Sequence, residues 1–135
     1  MSRLAKKLNL IAIDTHMGML DYSIRCIFGG ETNSYKYIDN IFENKENSVQ
    51  DIYNDEQMGN VARGVTFYKT GYVPIIWMPR QPKTPREHAT FAHEVIHAVN
   101  HLFGWANIPL SKDTEEVFAH SVAHVIDSVY TKLKK

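Results

Sequence analysis

One long amphipathic helix most constrains how this chain can fold, and it contains the segment FAHEVIHAVNHLFG at residues 91–104. Thr84 can cap the helix, Pro85 suits its first position, and Glu87 can reach back to close a capping box. Apolar residues then recur at helical spacing, and Gly104 is placed to end the helix in the left-handed conformation. The sequence predicts a helix that begins after Thr84, stops just before Gly104 and buries one face.

The same helix contains a His-Glu-x-x-His pattern made by His93, Glu94 and His97. Residues four apart project from nearly the same face of a helix, so both imidazoles can reach one ion. Glu94 falls on the flank of that face, where its carboxylate can act as a general base on a metal-bound water. The pattern favours a zinc site over a pair of core histidines with ordinary partners. The apolar residues around them predict that both rings are partly buried.

A catalytic zinc takes three protein ligands and keeps a fourth position open, so one ligand must come from elsewhere. His101 extends the four-residue series, but it points roughly 80° away from His93 and lies roughly 12 Å further along the axis. We expect His101, and also His88 in the first turn, to lie on the surface or beside the site. Cys26 is the only cysteine, which leaves histidine and carboxylate as ligands.

A last helix is predicted to begin at residue 113 or 114 and to continue to about residue 131. Its first residues include Glu116 and His120, which share a face. Antiparallel packing after a ten-residue connection would turn them toward the histidine pair. We expect Glu116 to be the third ligand and His120 to donate a hydrogen bond in the transition state. Glu115 is the alternative ligand, and Glu116 could instead only complete a capping box.

The rest of the chain predicts a small sheet and a second helix. Residues 20–30 alternate as a strand does, and residues 31–44 have the spacing of a short helix. Residues 43–60 are polar and predict a loop with some helical turns. Residues 65–78 predict a hairpin around a Lys-Thr-Gly turn.

Two prolines, Pro74 and Pro79, flank the second strand of that hairpin. Because proline cannot donate to a ladder, they place this strand at a sheet edge or bound its paired length. An edge strand leaves backbone groups free for another extended chain. A substrate could therefore pair with it, and Trp77 or Tyr72 could shape a side-chain pocket, unless Trp77 packs in the core.

Length and charge exclude several classes of protein. A chain of 135 residues fits one domain over residues 1–135. Fifteen basic and fifteen acidic residues give a net charge of zero, which offers no support for nucleic-acid binding. No apolar run approaches a membrane span and no cleavable leader is recognised, so a cytoplasmic protein is expected. The expected fold class is α+β, with a short mixed or antiparallel sheet packed against the His-Glu-x-x-His helix and a C-terminal helix.

The segment PKTPREHATFAHEVIHAVNHLFGWANIPLSKDTEEVFAHSVAHVI, residues 82–126, resembles small phage-encoded and related bacterial metallopeptidases of the zincin class, often described as minimal gluzincins. In that family, a His-Glu-x-x-His helix is followed about nineteen residues later by a glutamate that opens a second helix. The resemblance covers roughly residues 73–130, and the N-terminal half is only loosely similar. It implies a small zincin-like domain that binds Zn²⁺.

Residue by residue, the resemblance implies His93, His97 and Glu116 as zinc ligands and Glu94 as the base. The family often has a tyrosine where this chain has His120, so the role of His120 departs from the family pattern. The expected activity is peptide-bond hydrolysis by a zinc-bound water that Glu94 activates, with the oxyanion shared between zinc and His120. The expected partner is a peptide or protein substrate.

Two other functions stay open. The chain could be a zinc-binding phage protein that keeps the zincin scaffold and binds or inhibits a host protein without significant turnover. An intact Glu94 argues for the enzyme, because a purely structural zinc site needs no base. The chain could also be a peptidase that acts on DNA-bound proteins, although its balanced charge counts against this.

Overall fold

The computed structural model describes residues 3–18, 22–45 and 64–134. Within these ranges, four helices accompany one four-stranded sheet. The elements in chain order are α1 (Arg3–Lys7), β1 (Ile11–His16), β2 (Ser23–Phe28), α2 (Glu31–Phe42), β3 (Val65–Phe67), β4 (Ile75–Met78), α3 (Pro85–Trp105) and α4 (Glu115–Leu133). The strand order is β1-β2-β4-β3, with β2 and β4 parallel and the outer pairs antiparallel. The predicted α+β class is confirmed at this level. The predicted loop at residues 43–60 lies, from residue 46 onward, outside the described residues.

Helices cover both faces of the sheet, because its strands alternate apolar side chains between two cores. On one face, side chains such as Cys26, Ile76 and Met78 pack against α3 and α4. On the other, side chains such as Ile27 and Trp77 pack against α1 and α2. Among the described residues, no helix combines the length and the apolarity that crossing a bilayer requires.

Cys26 lies in the middle of the core beneath α3 and is fully buried. Burial raises the pKa of its thiol well above the usual range, and the charge of Asp14 adds to this effect. The thiol is therefore protonated and shielded from solvent in the folded protein.

The strand β4 lies inside the sheet, so the prediction that this run forms an edge is wrong. It pairs with β2 on one side and with β3 on the other. Pro74 and Pro79 lie just outside it, which confirms that they bound its paired length. In the described part of the chain, β3 pairs only with β4 and is an outer strand.

Trp77 and Tyr72 belong to the side of the sheet opposite α3. Trp77 is 2% exposed, packs edge-on against Tyr35 and donates its indole N–H to the carbonyl of Gly29 at 3.0 Å. Tyr72 packs on the same cluster, and its hydroxyl bonds to Glu43. Trp77 is therefore a core residue, and a pocket beside α3 cannot be built from these two rings.

The predicted start of α3 is confirmed. Thr84 Oγ1 accepts from the backbone N–H of Glu87 at 3.2 Å, and Glu87 Oε1 accepts from the backbone N–H of Thr84 at 3.0 Å. Arg80 Nε donates to the other Glu87 oxygen at 2.6 Å. The Arg80 bond, followed by the backbone N–H groups of Thr84 and Lys83, lowers the pKa of Glu87 to about 2. Glu87 thus stays ionised at this helix start, where a negative charge is favourable.

The end of α3 differs from the prediction. Gly104 lies within the helix, which continues to Trp105, and Asn107 adopts the left-handed conformation instead, with φ of 58°. Asparagine is one of the few non-glycine residues that tolerates this region. The backbone N–H of Asn107 returns to the carbonyl of Gly104 at 3.1 Å, which closes the last turn.

The last helix, α4, packs antiparallel to α3. Phe91 near the start of α3 contacts Tyr130 near the end of α4, with ring centroids 5.6 Å apart. Phe103 near the end of α3 meets Phe118 near the start of α4 at 5.3 Å. The predicted antiparallel arrangement is confirmed. Two aromatic contacts, one near each end of the pair, set how far one helix is displaced along the other.

Candidate metal centre

The imidazoles of His93 and His97 lie together on the solvent side of α3. Their Nε2 atoms are 3.0 Å apart, and their ring planes are inclined by 80°. Two nitrogens bound to one tetrahedral zinc at its usual bond length are roughly 3.3 Å apart. The two Nε2 atoms are therefore separated by close to the distance that a shared zinc ion requires.

The same separation also fits a hydrogen bond between the two rings. In that arrangement one Nε2 carries the proton and the other accepts it, whereas ligation needs both Nε2 lone pairs and both protons on Nδ1. The two arrangements differ mainly in the position of one proton. The prediction that both rings are partly buried is wrong, because the side chain of His93 is 67% exposed and His97 is exposed as well.

Glu94, between the two histidines in sequence, turns inward and is buried beside β3. Its Oε1 accepts a hydrogen bond from Thr66 Oγ1 at 2.8 Å, and its Oε2 lies 3.9 Å from His93 Nε2. Gly64 lies next to this part of α3: a Cβ there would be in ordinary contact with Glu94 Cγ at 3.4 Å and in tighter contact with Thr90 Cγ2 at 3.2 Å. One carboxylate oxygen is thus held by the sheet, while the other lies closer to the histidine pair.

An aromatic cluster continues from this site toward the end of α3. Tyr68, just after β3, stacks on His101 with centroids 4.1 Å apart, and His101 is 4.9 Å from Trp105, which contacts Tyr22. Burial lowers the pKa of His101. Burial and, second, the charge of Glu94 raise the pKa of Tyr68 to about 12. His101 therefore packs between rings beside the site, and its Nε2 has no hydrogen-bond partner among the described residues.

The other predicted residues form separate contacts. Glu116 Oε1 lies 3.1 Å from His120 Nε2, and both side chains are exposed. His88 Nδ1 contacts the hydroxyl of Tyr130 at 2.7 Å, and His124 Nε2 contacts the backbone carbonyl of His16 at 3.0 Å. Thr114 precedes α4 without a side-chain cap, so Glu116 does not complete a capping box there.

The structure thus brings together His93, His97 and Glu94 as one set and Glu116 with His120 as another. Across residues 3–18, 22–45 and 64–134, no three histidine, cysteine, aspartate or glutamate side chains are grouped closely enough to hold a metal ion. Glu116 as third ligand stays a prediction. Its side chain is exposed at the start of α4, where it is paired with His120.

The choice between Glu116 and Glu115 can be tested by zinc affinity. We expect Glu116→Ala to raise the zinc dissociation constant by more than the roughly 10–100-fold that loss of an outer partner causes, because a direct ligand disappears. Glu115→Ala removes the same charge from the same turn and should leave the affinity within about twofold. Competition against a chromogenic chelator gives both values. Equal losses in the two variants would mean that only their charge matters.

Thr66 and Tyr68 were missed by the sequence reasoning. The alternation of Val65 and Phe67 places Thr66 on the opposite face of its strand, which is a usable signal. What the sequence lacks is any indication that this face lies against Glu94, 28 positions later. No family model, curated protein or solved structure matches the chain, so its function must be argued from these side chains.

Proposed function

We propose that this protein is a zinc-dependent metallopeptidase with a zincin-like active site. The observation that carries the proposal is the 3.0 Å approach of His93 Nε2 and His97 Nε2 next to the buried carboxylate of Glu94. Imidazole nitrogen and carboxylate oxygen form a donor set that suits zinc. A hydrolytic site also needs a general base, and a carboxylate that lies beside the two histidines without binding the metal can take that role.

In the proposed reaction, zinc supplies Lewis-acid activation of water and of the peptide carbonyl. His93 and His97 would hold the ion through Nε2, and Glu116 is the proposed third ligand. Glu94 Oε2 accepts the proton of the attacking water and later delivers it to the leaving amine. His120 is the proposed hydrogen-bond donor to the oxyanion, which requires its Nε2 to leave Glu116 Oε1.

The proposed substrate is a peptide segment in extended conformation. The outer strand β3 lies along α3 at the level of Glu94, since Thr66 in its middle bonds to that residue. A peptide that adds to β3 would pass close to the two imidazoles. The rings of Tyr68 and Trp105 are 43% and 37% exposed at one end of this path and offer an apolar surface for a substrate side chain.

A second candidate function is a binding or inhibitory module that keeps the zinc site without significant turnover. The observation that favours it is the pairing of Glu116 with His120. Among the described residues, only His93 and His97 are then grouped as metal ligands, whereas a catalytic zinc needs three protein ligands. Besides the two rings, Ile96 and Leu110 are also exposed apolar side chains, 46% and 59% accessible.

Zinc analysis joined to a peptide-library cleavage assay separates the two candidates. We expect about one zinc per chain and cleavage that a chelator abolishes and added zinc restores. Cleavage sites should be enriched in large apolar or aromatic side chains on one side of the cut bond, because of Tyr68 and Trp105. Full zinc occupancy with no cleavage of any library member would support the binding module, and absence of zinc would exclude both.

A further inference from the structure

The hydroxyl of Thr66 lies within hydrogen-bond distance of two oxygens of Glu94. Its Oγ1 is 2.8 Å from the carboxylate Oε1 and 3.1 Å from the backbone carbonyl oxygen. A hydroxyl has one proton and can donate to only one of them at a time. The carboxylate is the stronger acceptor because it is charged, and its distance is the shorter one. The proton is therefore assigned to the bond with Oε1.

This bond is the hydrogen bond that the Glu94 carboxylate makes among the described residues. The side chain is 10% exposed, so water provides little alternative solvation for Oε1. A glutamate on a helix has three rotatable side-chain bonds, and the last of them, which turns the carboxylate plane, has only a broad preference of its own. The carboxylate plane is consequently set by the bond from Thr66.

We propose that Thr66 is a positioning residue that orients Glu94 for proton transfer by holding Oε1 and leaving Oε2 toward the histidine pair. The inference rests on the proposed peptidase function and deepens it, since it ties the base to the strand that would receive the substrate. Thr66 sits in the middle of β3 opposite Ile76. Its backbone position is therefore fixed by the sheet, and the sheet in turn fixes the carboxylate.

The chain offers matched variants to test this role. Thr66→Val removes the hydroxyl but keeps a β-branched side chain suited to a strand, and Thr66→Ser keeps the hydroxyl. Thr15→Val is the control, because Thr15 is a buried threonine on β1 whose hydroxyl donates to Ser128 Oγ at 3.2 Å, away from Glu94. We expect Thr66→Val to lower kcat by about 10–100-fold with unchanged KM and zinc content. Thr66→Ser should recover most of the rate, and Thr15→Val should keep it.

Crystal structures of the same variants give a readout that does not depend on turnover. The carboxylate of Glu94 should occupy one orientation in the parent protein and in Thr66→Ser, and more than one orientation in Thr66→Val. A single unchanged orientation in Thr66→Val would overturn the proposal. Loss of zinc in Thr66→Val, or failure of Thr66→Ser to restore kcat, would also overturn it, because either shows a structural role.

The failure of this inference can be told apart from the failure of the peptidase function. If the parent protein cleaves no peptide, the peptidase proposal fails, while the crystallographic comparison of Glu94 still decides whether Thr66 orients it. If the parent protein cleaves and Thr66→Val cleaves equally fast, the peptidase stands and the role of Thr66 is rejected.

Discussion

Replacing His93 with alanine is expected to reduce bound zinc from about one ion per chain to nearly none after dialysis. The Nε2 atoms of His93 and His97 face each other at 3.0 Å, and one imidazole without the other leaves a single nitrogen on this face of α3. A divalent zinc ion needs several ligands at once, so losing either should abolish tight binding. Elemental analysis of the dialysed protein measures the outcome, and His97→Ala should behave in the same way.

His101→Ala is the matched control for this experiment. It removes an imidazole from the same helix, but one that packs between Tyr68 and Trp105. Zinc content should stay near that of the parent protein. If His93→Ala retains its zinc while His101→Ala loses it, the metal centre lies in the aromatic cluster and not at the pair His93 and His97.

Glu94→Gln is expected to keep the zinc and to lose hydrolysis by about 10²–10⁴-fold, the usual contribution of a general base. Glutamine preserves the size of the side chain, and its amide oxygen can still accept the bond from Thr66 Oγ1. What it cannot do is take a proton from water. Steady-state cleavage of the best library peptide, measured beside zinc content, gives both quantities on one preparation.

Glu31→Gln provides the corresponding control. It makes the same change of carboxylate to amide at the exposed first turn of α2, which packs on the opposite face of the sheet. Its cleavage rate should match that of the parent protein. A Glu94→Gln variant that cleaves as fast as this control would remove Glu94 from the role of base.

Features set by neighbouring residues were predictable from the sequence. The start of α3 depends on Thr84 and Glu87, three positions apart, and their capping box forms as expected. The approach of His93 and His97 follows in the same way from one turn of helix. Each depends on geometry within a single helix, which no distant part of the chain can easily change.

Features set by distant contacts were not predictable. The order of the strands depends on the pairing of β2 with β4 across the chain, so the sequence left open whether the prolines marked a sheet edge or only bounded the paired length of β4. Local sequence also did not decide which side of α3 faces solvent, and the histidines were expected to be more buried than they are. The position of Glu116 relative to the histidines depends on the displacement between α3 and α4, which Phe91 and Phe103 set through their partners.

The burial of the single cysteine makes the comparison of variants easier. Because Cys26 is fully buried and its thiol is protonated, a thiol-reactive dye should label the folded chain only through openings that expose this core. With one thiol per chain, dye incorporation reports the opening of this one site. A substitution that silences cleavage without speeding dye incorporation has changed the chemistry of the site, whereas faster incorporation identifies a variant whose activity fell through instability.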